Sequence, residues 1–524
     1  MKHIINYLYL IVLLFASEII FSDEIEEVII KSDYRQTALD NEDSSVFILN
    51  AEEIKSEPIK HFENLSYLIP NLNFAASDSR ARYFQIRGIG ERSGYLGTPN
   101  TSVGFLIDDV DYSGQGGIAT TFDVDQIEVL RGPQGSRIGA NALAGLIYVK
   151  TKDPTEEFEG TSEITYGDYN TLSTGLAFGG PLTNSKNVKF RLALRKDDTD
   201  GFRENLYLNR SDTSRKDETT VRLKLDLEID NKTDAKVLLS QVDMDDPADI
   251  WTIDGSLNTL SDRPGMDSQK TNTFGLKVFR ENRFHQFQSL TSTTDTDVVF
   301  SYDADWGNSD SHAPYTYDYF SETLRARESI SQEFRFVSNE KYKAVRLPID
   351  WVFGISYLKL EETNDRQDDG IYGDPNDPFS PYTSLTTSSS NYSSTNLSVF
   401  GNIEYEFSPF TKISVGLRME DWSAKYSDTN DERFSPSNSM TGGKISLSHS
   451  LDAEKNIFVN YAKGYKQGGF NVGLGLLDSA SEGDLEYDPE FLTNYELGIH
   501  MPLSKNSDLR LVAVSYTHLT LPTN

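Results

Sequence analysis

Catalysis needs acids, bases, nucleophiles or metal ligands at spacings a fold can bring together. The most suggestive group here is Asp108, Asp109 and Asp111, in FLIDDVDY. Carboxylates this close could hold a cation or share a proton. Read as a strand, Val103–Val110 sends neighbouring side chains to opposite faces, so Asp108 and Asp109 are expected to diverge. Solvated or salt-bridged roles follow, and no metal site. The seven histidines are scattered, with no H-x-x-x-H spacing for zinc. No G-x-S-x-G occurs. With no cysteine, the chain has neither thiolate chemistry nor disulfides. Gly88–Gly94, GIGERSG, is not G-x-G-x-x-G and opens no helix, so it is a poor dinucleotide loop. The chain therefore reads as a non-enzyme, with no cofactor and no metal.

The elements that carry these residues are mostly strands. Asp123–Pro154, DVDQIEVLRGPQGSRIGANALAGLIYVKTKDP, reads as strand, glycine-rich turn, irregular piece and second strand. Ile127, Val129 and Leu130 supply the first apolar run, and Leu146, Ile147, Tyr148 and Val149 the second. Gly132, Pro133, Gly135, Gly139 and Gly145 permit tight turns and close approach to another surface. Arg131 ends the first strand. Upstream, Val46–Leu49 and Tyr83–Arg87 read as strands, and Ile59–Leu68 as a short helix stopped by Pro70. Gly88–Asn100 is a polar loop. Residues 32–153 thus form a small α/β unit.

From about Phe158 the period changes to two. Val188, Phe190, Leu192 and Leu194 alternate with Lys189, Arg191, Ala193 and Arg195. Val221, Leu223, Leu225, Leu227 and Ile229 alternate with Arg222, Lys224, Asp226 and Glu228. An apolar face backed by full charges suits a membrane barrel with a wet lumen better than a soluble sandwich. Short turns such as Gly179–Leu182 fall at one end. Long polar stretches fall at the other: Gln241–Gly255, then DADWGNSDSHAPY and TNDRQDDGIYGDPNDPFS. No helix-forming apolar run of about 18 residues follows the N-terminus, so a transmembrane helix bundle is excluded. The 27 tyrosines and 29 phenylalanines suit aromatic girdles. A net charge of −32 argues against nucleic acid as a partner.

These strings resemble a known family. IEVLRGPQG with the following GANALAGLIYVKTKDP, IRGIG at Ile86–Gly90 and VGFLIDDV at Val103–Val110 resemble the plug domain of TonB-dependent outer-membrane receptors. Asn396–Glu420, Asn456–Gly473 and Tyr487–His500 resemble barrel segments of the same family. The resemblance implies a mainly β fold: a transmembrane antiparallel β-barrel of about 22 strands when complete, with an N-terminal α/β plug in its lumen. It divides the chain into a signal peptide (1–22), a TonB-box segment (23–31), the plug (32–153) and a barrel domain (154–524). Lys2 and the apolar run Ile4–Phe15 suit a signal peptide, and Glu18 disfavours an anchor helix.

Residues 158–524 have length for only about two-thirds of such a barrel at a strand and a loop each. Ser515–Asn524 lacks the family's terminal aromatic and resembles a translated sequencing-adapter tail. The reading is therefore a fragment of a longer receptor, whose structure alone should show a gap in the wall.

The resemblance implies energised import. Ile25, Glu26, Glu27, Val28, Ile29, Ile30 and Lys31, as IEEVIIK, match the TonB box, an extended segment that adds to the edge of a partner sheet. Arg87 and Arg131 match plug arginines that pair with barrel glutamates, with Glu496 of YELG as the partner here. By position on plug loops, Arg92, Ser93, Tyr95, and Tyr112 to Gln115, would touch the ligand. The expected partners are TonB, outer-membrane lipid and a ferric siderophore or similar ligand, for a receptor acting as a monomer. Cobalamin, haem, nickel complexes and glycans are other cargoes of the family. A passive porin would need neither box nor plug, and a soluble extracellular enzyme would not sit in the outer membrane.

Overall fold

A computed structural model describes residues 29–35, 37–38, 43–56, 60–75, 80–91, 100–339, 348–452, 455–470, 486–504 and 507–519. The plug is built on a five-stranded sheet. Its strands are β1 (Ser45–Asn50), β2 (Val103–Ile107), β3 (Val110–Asp111), β4 (Val124–Arg131) and β5 (Gly145–Thr151), in the order β1-β4-β5-β2-β3. The apolar runs read from sequence are β4 and β5, paired antiparallel. Both faces of β5 are covered, so Leu146–Val149 is apolar without alternation, whereas β4 buries Gln126 and Glu128 among Ile127, Val129 and Leu130. Phe62, Phe84, Phe105, Ile127, Val129 and Ile147 anchor one continuous core. The three phenylalanine rings meet at 5.0–5.5 Å, a separation at which such pairs attract beyond their buried area.

Local details of the plug differ from the expectation. The expected helix at Ile59–Leu68 is a 3-10 turn, Phe62–Leu68, and a short α-helix occupies Ala51–Ser56 instead. The expected strand Val103–Val110 breaks at Asp108 and Asp109, whose φ values are +51° and +69°. Aspartate tolerates this left-handed region, so the pair forms a tight turn between β2 and β3.

The wall is one 16-stranded sheet whose long strands follow one another antiparallel, from Glu159–Tyr166 to Ser507–Leu519. Those two edge strands do not pair with each other among the described residues, so the wall is open. The alternation sorts the faces as expected. Along Lys216–Asp230, Arg222 and Lys224 are buried toward the plug, and Val221, Leu223 and Leu225 face outward. On the outside, Leu397, Val399, Ile403 and Tyr405 form an exposed apolar stripe. It runs about 26 Å along the strand, near the roughly 25 Å apolar band of membrane barrels.

Two expected connections lie within strands. Gly179–Leu182 is not the turn, because Leu172–Pro181 is strand. The polar stretch from Thr363 is also strand as far as Gly373, in Ile349–Gly373. Its polarity marks where the wall rises above the apolar band and both faces are wet.

Candidate functional site

The plug is held by ion pairs across the seam between it and the wall. Arg87 follows the strand Tyr83–Ile86 and takes φ +53°, which turns its side chain out toward the wall. Its Nη1 donates to Glu496 Oε1 at 2.8 Å and also contacts the Tyr516 hydroxyl. Asn460 Nδ2 donates to Glu496 Oε2 at 3.0 Å. Both Glu496 oxygens are therefore taken. The expected pairing of Arg131 with Glu496 is not present. Arg131 Nη1 instead donates to the Pro70 carbonyl at 3.4 Å, and burial with the neighbouring Arg87 charge lowers its pKa.

Elsewhere the seam uses pairs that sequence motifs did not single out. Asp123 sits in a turn at φ +59°. Arg191 grips it with a fork, Nε to Oδ2 at 2.9 Å and Nη2 to Oδ1 at 2.6 Å. Arg222 Nη2 donates to the Phe122 carbonyl at 3.2 Å. Arg80 Nε donates to wall Asp246 at 2.9 Å and its Nη1 to Glu63 at 3.1 Å. Arg82 pairs with Asp267, and Asp43 with Lys444 and Ser446. The wall partners Arg191, Arg222 and Lys224 were legible as the charged half of the alternation; of their plug partners, only Asp108 carried a signal in the sequence.

Beside Arg80, burial pushes the His61 imidazole down to about 4. Burial opposes ionisation of Glu63 too, but His61 and Arg80 hold it at about 2.

The aspartate pair does not diverge as a strand would require. The left-handed turn aims both carboxylates at the wall. Asp108 Oδ1 receives Lys224 Nζ at 3.1 Å and Lys150 Nζ at 3.2 Å, and Asp109 pairs with Lys277. Burial disfavours ionised Asp108, yet Lys224 and Lys150 outweigh it and hold its pKa below the usual range. The salt-bridged role is observed, by a different geometry. No group of three metal-ligating side chains occurs among the described residues.

The end of the IEEVIIK segment is docked. Ile25–Val28 lies outside the described residues. Ile29–Ile30 pairs with Thr37–Ala38, and Ile30 is buried against Val46, Leu130 and Leu146. The backbone amides of Lys31 and Ser32 both donate to the Glu128 carboxylate. Tyr34 then stacks on wall Phe400 at 5.5 Å, and Arg35 Nη2 donates to Ser338 at 2.6 Å and the Trp351 carbonyl at 2.8 Å. This strap joins plug and wall at the end where the connections are short.

Of the residues expected to touch ligand, Arg92, Ser93 and Tyr95 lie outside the described residues. Tyr112 and Gln115 are buried in the seam. Tyr112 bonds Thr273 at 2.7 Å, and Gln115 accepts from Thr296 at 2.9 Å. Neither offers an open surface, because each already serves a wall threonine. Toward the opposite end, Tyr426 and Phe434 stack on Phe470 at 5.2 and 5.1 Å, beside Tyr392 and Trp422.

An apolar-cored plug, tied by polar pairs inside a wall with an apolar outer face, defines a plugged membrane barrel. The chain belongs to the TonB-dependent receptor family: residues 38–146 match the "TonB-dependent Receptor Plug Domain" and residues 149–520 the "TonB dependent receptor-like, beta-barrel".

Among relatives, it is 26% identical over 159 residues to the ferripyoverdine receptor of Pseudomonas aeruginosa, covering 30% of this chain and 19% of that one. It is 27% identical over 180 residues to the ferric enterobactin receptor PirA of the same organism, covering 31% and 24%. The chain thus matches about a quarter or less of those receptors' lengths. Identity to the pesticin receptor of Yersinia enterocolitica is 22%, over 93% of this chain and 69% of that one. In fold it is similar to the ferric yersiniabactin uptake receptor FyuA of Yersinia pestis, with a TM-score of 0.74 at 18% identity, covering 90% and 72% of the two chains.

Proposed function

We propose that this chain is a receptor of the outer membrane that imports a scarce iron chelate, a ferric siderophore, using energy delivered by TonB at the Ile25–Lys31 segment. The observation that carries the reading is the contrast between plug and seam. The plug is a folded body with its own apolar core. The seam is rich in charged and hydroxyl pairs, including Arg87–Glu496, Asp123–Arg191 and Arg80–Asp246. Water can replace each such contact as the plug shifts, which suits a stopper that must hold and then move. The named cargoes of the ferripyoverdine and enterobactin receptors support iron chelates as the substrate class.

The test is radio-iron uptake in cells lacking their own siderophore receptors, with the gene intact or with Ile25–Lys31 deleted. The reading requires uptake from the intact gene, and binding without uptake from the deletion. Equal uptake by both would refute energised import.

A further inference from the structure

Given that reading as an importer, one small space in the seam bears on what passes through it. The Asp108–Asp109 turn meets the wall over a cavity of about 70 Å³. That volume holds a few waters and no iron chelate, so cargo enters only after the turn has moved. Five cationic and five carboxylate side chains line the space, so it is neutral as it stands. Lys224, Lys236, Lys277 and Arg335 come from the wall, and Lys150 from β5. The turn carries two of the carboxylates, and these pair with Lys224, Lys150 and Lys277. When the turn withdraws, five cations face three carboxylates, a net charge of +2. The wall opposite is low in relief, with Gly275, Ser292 and Ser331.

We infer that the wall behind the plug carries a cationic track for an anionic cargo, with Asp108 and Asp109 as its resident counter-ions. The two carboxylates stand where the cargo's negative groups pass. Ammonium and guanidinium groups that lose a carboxylate in a narrow, low-dielectric cleft attract the nearest anion. An anionic iron chelate regains the pairs that the departing turn gives up, and a cationic chelate meets repulsion.

The chain has no cysteine, so one introduced thiol reports on this space alone. Ser292→Cys is nearly isosteric, and Ser331→Cys on the neighbouring wall strand repeats the measurement should the first variant not assemble. Cells bearing either variant are treated with two methanethiosulfonates of similar size, one bearing a sulfonate and one a trimethylammonium. The membrane is energised, or de-energised with a protonophore. The expected result is labelling only in energised cells, about tenfold faster with the sulfonate reagent. Adding Lys236→Gln and Lys277→Gln should bring the two rates together. No labelling in energised cells, or equal rates without those substitutions, overturns the track. Wild-type cells are separately offered a trianionic tris-catecholate iron complex and a cationic tris-hydroxamate one. Sulfonate-selective labelling with no uptake of either complex supports the track and refutes the importer reading. Uptake confined to the cationic complex overturns the track and leaves the importer reading intact.

Discussion

Replacing Asp123 by asparagine tests whether buried ion pairs hold the plug. Asparagine tolerates the left-handed φ at this position, so the turn survives and only the charge is lost. Asp123 is the carboxylate for Arg191, through two short bonds, and it lies 3.9 Å from Arg222. Removing one member of a buried pair costs about 3–5 kcal/mol, because the other charge stays buried. Arg191 keeps Glu159 at 2.8 Å, a half-exposed partner, so the lower figure of about 3 kcal/mol applies. Amide exchange in β4 and β5, followed by mass spectrometry on the purified protein, should speed up by about 100-fold, at roughly 1.4 kcal/mol per factor of ten. Arg191→Gln should cost a similar amount. The double variant should cost less than the sum, with a coupling of about 2 kcal/mol. Glu159→Gln is the control and should cost under about 1 kcal/mol. Exchange in Asp123→Asn within twofold of wild type, or additive single effects, would refute the account of the seam.

Acid should loosen the plug. His61 has a folded value near 4 against a reference of 6.5, so its neutral form favours folding and stability falls as pH drops from 6.5 toward 4. The loss is at most roughly 3 kcal/mol. Glu63, near 2 against 4.5, adds a second loss below pH 4.5. His61→Gln should flatten the upper step in thermal melts between pH 7 and 4; an unchanged step would put its cause elsewhere. Arg87→Ala should release Glu496 and speed exchange in the strand Tyr83–Ile86 more than Arg131→Ala does, since Arg131 makes no ion pair among the described residues. On the outer face, Leu417→Arg should cost about 2–4 kcal/mol in lipid-refolding assays, and Ser423→Arg, beyond the apolar stripe, about 0–1.

The architecture was legible because alternation is a direct record of two solvents. Leu223 and Leu225 face outward and Arg222 and Lys224 inward, and no tertiary information is needed to read that. β5 was legible for the same reason in reverse, since a run such as LIYV is tolerated only where both faces are covered. Most of the seam was not legible, because it depends on which inward charge meets which plug residue across large sequence distances. Asp123 and Arg191 lie 68 positions apart, and Arg87 and Glu496, 409 apart, were paired only through the family resemblance. The Asp108–Asp109 error was local. Two adjacent aspartates between apolar runs are also a turn signal, and reading them as strand separated carboxylates that the turn brings together.

Polar pairing is not uniform around the seam: Phe122 packs on wall Ala177 and Ala193, and a longer apolar line sets where the plug holds longest. Leu238, Val242 and Met244, all on the wall strand Thr233–Pro247, are the wall residues that join the plug's apolar core. Water cannot replace an apolar contact as it replaces an ion pair, so this line should part last under load. Met244 is 1% exposed. Met244→Ala therefore removes a fully packed side chain, with a cost of about 2–5 kcal/mol. Under a steady pull on the N-terminal segment, wild type should open first along the ion pairs, and Met244→Ala should release the whole plug at lower force. Single-molecule extension of the N-terminus from a membrane-held barrel reads both events. If Met244→Ala leaves the final rupture force unchanged, the plug is not anchored on this strand.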